Sequence, residues 1–147
     1  AFKRLIQLVA SDGHLVIWEG AHRAVALANE FAQCKVSLYG TNGSDAERVT
    51  MTQFETQAEG LVFEPCIDGE SLGEMKTPMW GKHSAQNVLA AIGALSEVGL
   101  SPEELRAGFA SFAGVKRRME VLGKPRDIVV VDDFGHHPTI ILCALIA

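Results

Sequence analysis

LVIWEGAHRAVALANEFAQCKVSLY, residues 15–39, decides the fold class. It opens with four apolar residues in a row, Leu15-Val16-Ile17-Trp18, the length and composition of a short strand. Gly20 interrupts it, and Ala24, Leu27, Ala28 and Phe31 then recur at helical spacing as one apolar stripe. Val36-Ser37-Leu38-Tyr39 is a second strand. Strand, helix and strand of these lengths form a βαβ unit, and a helical crossover leaves its two strands parallel. The expected fold class is therefore α/β.

Upstream, Phe2, Leu5, Ile6 and Val9 fall on one face of a helix that Ser11-Asp12-Gly13 stops. Downstream the character changes. Thr41-Asn42-Gly43-Ser44 reads as a turn, and Val49 and Met51 then alternate with Thr50 and Thr52. Leu61-Val62-Phe63 is bounded by Gly60 and Pro65, and Asp68-Gly69 is a two-residue hairpin signal because both positions tolerate positive φ. Glu47 to Thr77 is thus expected to be a small antiparallel meander. After Gly81 the helical period returns through Val88, Leu89, Ile92 and Leu95, with Gly99 placed as a left-handed C-cap. Ser101-Pro102-Glu103-Glu104 is a capping box with proline at the first helical position, and Leu105, Phe109 and Phe112 form the buried side of that helix. Ile128-Val129-Val130-Val131 reads as a fully buried strand ending in Asp132-Asp133, and Thr139 to Ala147 as an apolar helix. Because the chain opens without methionine and both its first and last segments read as helices cut short, it is expected to be a piece of a larger protein.

With 48% apolar and 21% charged residues in 147, the composition is that of a globular domain and excludes a disordered chain. Lys and Arg against Asp and Glu give 13 − 18 = −5, which argues against a nucleic-acid or anionic-membrane surface, the local exception being Lys116-Arg117-Arg118. The longest apolar run, Val88 to Leu95, falls far short of the ~20 residues that cross a bilayer. Ala1-Phe2-Lys3-Arg4-Leu5 carries no secretory signal, and Cys34, Cys66 and Cys143 lack CxxC spacing and read as reduced thiols. A cytoplasmic protein is expected, with neither nucleic acid nor membrane as partner. Nothing in the sequence sets an oligomeric state.

Four places can carry chemistry. In Gly81-Lys82-His83-Ser84-Ala85-Gln86-Asn87, His83 and Asn87 are four apart and share one helical face, so they can meet one planar ligand; a first turn that simply caps itself fits the same spacing. Lys116-Arg117-Arg118 offers planar guanidinium forks suited to phosphate, or else a solvated face. Asp132-Asp133 ends a strand, where α/β sheets place ligands and a carboxylate accepts from ribose hydroxyls; a helix cap or ion pair is the alternative. His136-His137-Pro138 continues that loop, as a substrate contact or an exposed surface, with no further ligands to support a metal.

Taken in order, Gly81-Lys82-His83 … Asn87-Val88-Leu89-Ala90-Ala91-Ile92, then Phe112-Ala113-Gly114-Val115-Lys116-Arg117-Arg118-Met119-Glu120, then Asp132-Asp133-Phe134-Gly135-His136-His137-Pro138-Thr139 resembles the Mur ligase family. These are ATP-dependent enzymes that join amino acids or peptides to UDP-N-acetylmuramic acid, and the resemblance spans essentially the whole chain. It implies that residues 1–115 are the later part of the central ATPase domain, a parallel sheet with helices and a small antiparallel flap. Residues 116–147 would begin the Rossmann-like C-terminal domain. It implies further that His83 and Asn87 lie beside the adenine of ATP, that Arg118 approaches the phosphates as the catalytic cation, and that Asp133 holds the ribose hydroxyls. Phe134 and His136 would face the incoming amine. Ser84 departs from the pattern, since the family usually has asparagine after the histidine.

Within the family, Arg117-Arg118-Met119-Glu120-Val121-Leu122-Gly123, the short connection to Ile128 and Phe134 resemble the branch that adds the murein tripeptide L-alanyl-γ-D-glutamyl-meso-diaminopimelate, a reaction of peptidoglycan recycling. Gly135-His136-His137-Pro138-Thr139 fits the L-alanine-adding branch equally. No glycine-rich phosphate loop ending in Lys-Ser/Thr occurs, so that loop and the Mg²⁺ ligands are expected upstream and the 147-residue chain alone is expected to be inactive. A non-catalytic nucleotide-binding module is the reading from another class. A dinucleotide-dependent oxidoreductase is disfavoured, because no GxGxxG follows a strand.

Overall fold

The computed structural model describes residues 1–41, 43 and 47–145. Asn42 and Ser44 of the expected turn, and Ile146 and Ala147 of the expected last helix, lie outside the described residues. Helix α1 (Phe2–Leu8) is followed by β1 (His14–Trp18), α2 (His22–Phe31) and β2 (Lys35–Tyr39). The βαβ unit is as expected: β1 and β2 are parallel, in register from His14 opposite Lys35 to Trp18 opposite Tyr39.

The antiparallel part follows as β3 (Glu47–Gln57), β4 (Gly60–Ile67), β5 (Glu70–Ser71) and β6 (Met75–Thr77). It continues the parallel sheet. The start of β3 pairs parallel with β2, with an irregularity at Leu38/Tyr39, and β3 then pairs antiparallel with β4 from Val49 opposite Ile67 to Gln57 opposite Gly60. β5 and β6 both pair β4, completing six strands. Asp68 and Gly69 make the tight turn between β4 and β5, with φ of 52° and 83°. Trp80 donates its indole N–H to the Gln57 carbonyl oxygen at 3.1 Å, fastening the tip of the β3–β4 hairpin to the loop before α3 (Lys82–Glu97).

The core lies where α3 and α4 (Pro102–Ser111) cover one face of this sheet. Val49, Met51, Leu61, Phe63 and Met75 project from the strands onto Ala85, Val88, Leu89 and Ile92 of α3 and Leu105 of α4. Burying a side chain the size of Leu89 stabilises the fold by about 1.5–3 kcal/mol. α3 lies close on the sheet at Gly93, where an added Cβ would stand 2.7 Å from Val16 Cγ1 of β1. α3 ends at Gly99 (φ 87°), whose N–H donates to Ser96 O while Leu100 N–H donates to Leu95 O, the paired bonds of a Schellman cap. At α4 the capping box is complete: Ser101 Oγ accepts from Glu104 N–H at 3.3 Å, and the Glu104 carboxylate accepts from Ser101 N–H at 2.8 Å.

Four apolar faces are less covered than their pattern implies. On α1 only Ile6 is buried, with Phe2 and Leu5 exposed, and on α2 only Ala28 is buried. Leu95 and Phe112 are also exposed. The larger correction concerns Ile128–Val131. These residues do not form a fully buried strand: β8 (Val130–Asp132) pairs antiparallel with β7 (Glu120–Gly123) in a separate two-stranded ribbon, and Ile128 is 66% and Val129 52% exposed. Two strands satisfy each other's backbone groups along one edge but cover neither side-chain face. α5 (Pro138–Leu145) follows the ribbon.

Candidate functional site

Gly81 precedes α3 with φ 83°, a conformation that suits glycine, and its carbonyl oxygen accepts from Ser84 and Ala85 N–H. His83, half-buried, and Asn87, exposed, follow on one face of the first two turns. Asn87 lines a cleft of about 430 Å³ between α3 and α4, walled by Val88, Ala91, Phe109 and Phe112 and bounded by Met79 and Val115. Val115 carries the chain out of this wall into the basic cluster, so Asn87 and the start of that cluster share a boundary.

Beyond Val115 the second and third motifs are laced together. Arg117 and Met119 both have left-handed backbone, with φ of 58° and 52°. The Arg117 carbonyl oxygen accepts from Phe134 N–H at 2.8 Å, and Met119 N–H donates to Asp133 Oδ2 at 3.0 Å. Asp133 Oδ1 accepts from Gly135 N–H at 2.7 Å, and Arg117 Nε stands 3.9 Å from Asp132 Oδ2. Arg118 is exposed at the crest of this junction. Phe134 and His136 meet edge to face with ring centroids 5.3 Å apart, and His136 Nδ1 lies 3.2 Å from the Phe134 carbonyl oxygen.

The structure therefore joins Asp133, Phe134 and His136 to the backbone of Arg117 and Met119 in one hydrogen-bonded unit, with Arg118 between those two residues. His83 and Asn87 stand outside those bonds, and Asn87 meets Val115 at the lining of the cleft. Asp133 takes up a bracing role as well: both its oxygens accept backbone N–H groups. An ionised carboxylate offers about four lone-pair sites, so acceptor capacity remains for a hydroxyl. Glu120 is a member of the unit that spacing did not single out; its carboxylate accepts from Arg117 N–H at 2.9 Å. Its place three residues after Arg117, in a segment that must bend, was the available signal.

A second polar cluster lies at the opposite, amino-terminal ends of β1 and β2. The His14 ring bridges Ser37 Oγ at Nε2 (2.7 Å) and Glu97 Oε2 at Nδ1 (2.7 Å). Glu97 also pairs with Arg48, and with Lys35 at 3.5 Å, while Arg48 reaches Asp68 at 3.2 Å. The hydrogen bond from His14, and then the charges of His14, Arg48 and Lys35, hold the Glu97 carboxyl below its ordinary range against the opposing effect of desolvation. This cluster ties the end of α3 to three strands, and its members are too far apart in the chain to be read as a motif. Among the described residues no group of three or more His, Cys, Asp or Glu side chains is placed to hold a metal ion, and no helix is long and apolar enough to cross a membrane.

Comparison with known proteins gives a consistent family. The Mur ligase middle domain matches residues 1–95. The UDP-N-acetylmuramate–L-alanine ligase of Rhodospirillum centenum is 33% identical over 99% of this chain, which covers 31% of that protein. The UDP-N-acetylmuramate–L-alanyl-γ-D-glutamyl-meso-2,6-diaminoheptandioate ligase of Escherichia coli K12 is also 33% identical, again over 99% of this chain and 31% of its own length. Among solved structures, a murein peptide ligase from Psychrobacter arcticus superposes with a TM-score of 0.72 at 26% identity, over 98% of this chain and 30% of that one. The chain thus spans about a third of the length of these relatives, and the mixed sheet with its helices is the fold of the family's middle domain.

Proposed function

The chain belongs to the Mur ligase family, and from that premise we propose that it is part of an ATP-dependent amide ligase joining the murein tripeptide L-alanyl-γ-D-glutamyl-meso-diaminopimelate to UDP-N-acetylmuramate. Residues 1–115 serve as the later part of the central ATP-binding domain, and residues 116–147 open the C-terminal domain. The observation that carries the reading is the laced junction, in which Met119 N–H donates to Asp133 Oδ2 and Phe134 N–H donates to Arg117 O. It gathers the exposed Arg118, a carboxylate with spare acceptor capacity and an aromatic pair within one junction.

That donor set fits a nucleotide. Asp133 accepts from the ribose hydroxyls, Arg118 faces the phosphates, and His83 and Asn87 lie on the adenine side. ATP would supply the phosphoryl group that turns the lactyl carboxylate into an acyl phosphate, with ADP leaving; the amine would then displace phosphate to form the amide. Mg²⁺ would be held by residues outside this chain and would shield the phosphates. The protein's own work is positioning and charge stabilisation, which is most of what phosphoryl chemistry asks of an enzyme. Phe134 and His136 flank the incoming amine, and the substrates are small molecules of peptidoglycan recycling.

Addition of L-alanine is the second reading, favoured by the Rhodospirillum relative, which matches as well as the Escherichia one. The deciding assay uses the full-length enzyme with UDP-N-acetylmuramate and ATP, following phosphate release with tripeptide or with L-alanine. A higher kcat/KM with tripeptide is the expected result. Equal or better turnover of L-alanine moves the assignment to the second reading, and phosphate release with neither rejects both.

A further inference from the structure

The segment that presents Arg118 is bent in a way its residue types resist. Arg117 and Met119, on either side of it, are both left-handed, and neither is glycine. In that conformation Cβ crowds the carbonyl oxygen, and such residues persist where the surroundings over-determine them. Three successive N–H groups show what does so. That of Arg118 donates to Val115 O at 3.1 Å, that of Met119 to Asp133 Oδ2 at 3.0 Å, and that of Arg117 to Glu120 Oε2 at 2.9 Å. Two carboxylates thus clasp the bend, Asp133 from the adjoining strand end and Glu120 from within the same turn. Bonds to an ionised acceptor are the stronger kind. Glu120 is half-buried, and its backbone is fixed by pairing with Asp132 at the start of the ribbon, so its carboxylate is held against the Arg117 amide.

We infer that Glu120 is a positioning residue for Arg118: its carboxylate locks the left-handed turn at Arg117 and so sets where the guanidinium stands. This rests on the reading of Arg118 as the phosphate-side cation. Without the Glu120 carboxylate, Arg117 can relax to right-handed backbone, and the residue after it swings away. Glu120 touches no substrate in this scheme and acts through Arg118 alone.

The test uses the full-length enzyme carrying Glu120→Ala, Glu120→Gln, Arg118→Ala and the Glu120→Ala/Arg118→Ala pair. Misplacing a group by about an ångström costs up to ~100-fold in rate, so Glu120→Ala is expected to lower kcat roughly 10- to 100-fold while KM for UDP-N-acetylmuramate holds. Glu120→Gln, whose amide oxygen still accepts, recovers most of it. In the Arg118→Ala background, Glu120→Ala adds less than about twofold, because no guanidinium is left to misplace. A purely structural role would multiply the two losses instead. Hydrogen exchange at the Arg117 amide is followed alongside, faster in Glu120→Ala and near wild type in Glu120→Gln. An unchanged kcat in Glu120→Ala, multiplying losses in the double variant, or an Arg117 amide indifferent to the substitution each overturns the inference. A wild-type enzyme without ligase activity fails the proposed function instead, and the exchange measurement still judges the bend.

Discussion

The six-stranded sheet and the two-stranded ribbon hold themselves together by different means. In the first, Leu61, Leu89 and Ile92 are wholly buried between strands and helices, and most of the stabilisation is apolar. In the second, Val130 and Val131 remain 40% and 42% exposed, and the order comes from strand pairing and from carboxylates that accept backbone N–H groups beside it. The sequence of the ribbon is at least as apolar as that of the sheet. An apolar run becomes core when a second layer faces it; strand pairing alone does not provide one.

The largest effect tests that contrast directly. Ile92→Ala should lose about 2–5 kcal/mol in urea unfolding, the usual cost of emptying a packed site. Val130→Ala should lose less than ~1 kcal/mol, because little burial is given up. Similar losses from both would erase the distinction between the two regions.

A finer effect concerns the polar side of the comparison. Asp133→Ala strips acceptors from Met119 and Gly135, and bonds to a charged acceptor contribute about 1.5–3 kcal/mol each. In the full-length enzyme both amides should exchange faster and KM for ATP should rise, with Asp133→Asn intermediate. Arg118→Ala should lower kcat and leave those amides unchanged. If Asp133→Ala loosens the amides yet leaves KM for ATP untouched, bracing is its whole role.

The smallest effect is read from acid. Glu97 has its carboxyl lowered from 4.5 in the folded state, so the unfolded chain binds more protons there. Its contribution is present above that ordinary value and fades as pH falls through the depressed one. Glu97→Gln should therefore flatten the decline of Tm across the acid range. Glu104, lowered in the same direction by its bonds with Ser101, remains in both proteins and cancels in the difference. An acid limb as steep in Glu97→Gln as in the parent would assign the decline elsewhere.

What was legible in the sequence was local. The βαβ unit, Asp68-Gly69, Gly99 and Ser101-Pro102-Glu103-Glu104 all declare themselves within a few residues, because turns and caps are settled by neighbours in the chain. The joining of β3 to β2, the clustering of His14, Ser37 and Glu97, and the exposure of Ile128 to Val131 depend on partners distant in sequence. The site divides in the same way. Helical spacing put His83 and Asn87 on one face, whereas the Glu120 bond to Arg117 needed the bend itself to be seen.

Trp80 has a consequence of a spectroscopic kind. The chain has two tryptophans, and Trp18 closes β1 while Trp80 is anchored through its N–H to Gln57 O at the threshold of α3. Trp18→Phe would leave a single tryptophan, three residues ahead of His83 in the chain. Its indole N–H is held by Gln57 O, so it gives that end of the helix an optical reporter without any attached dye.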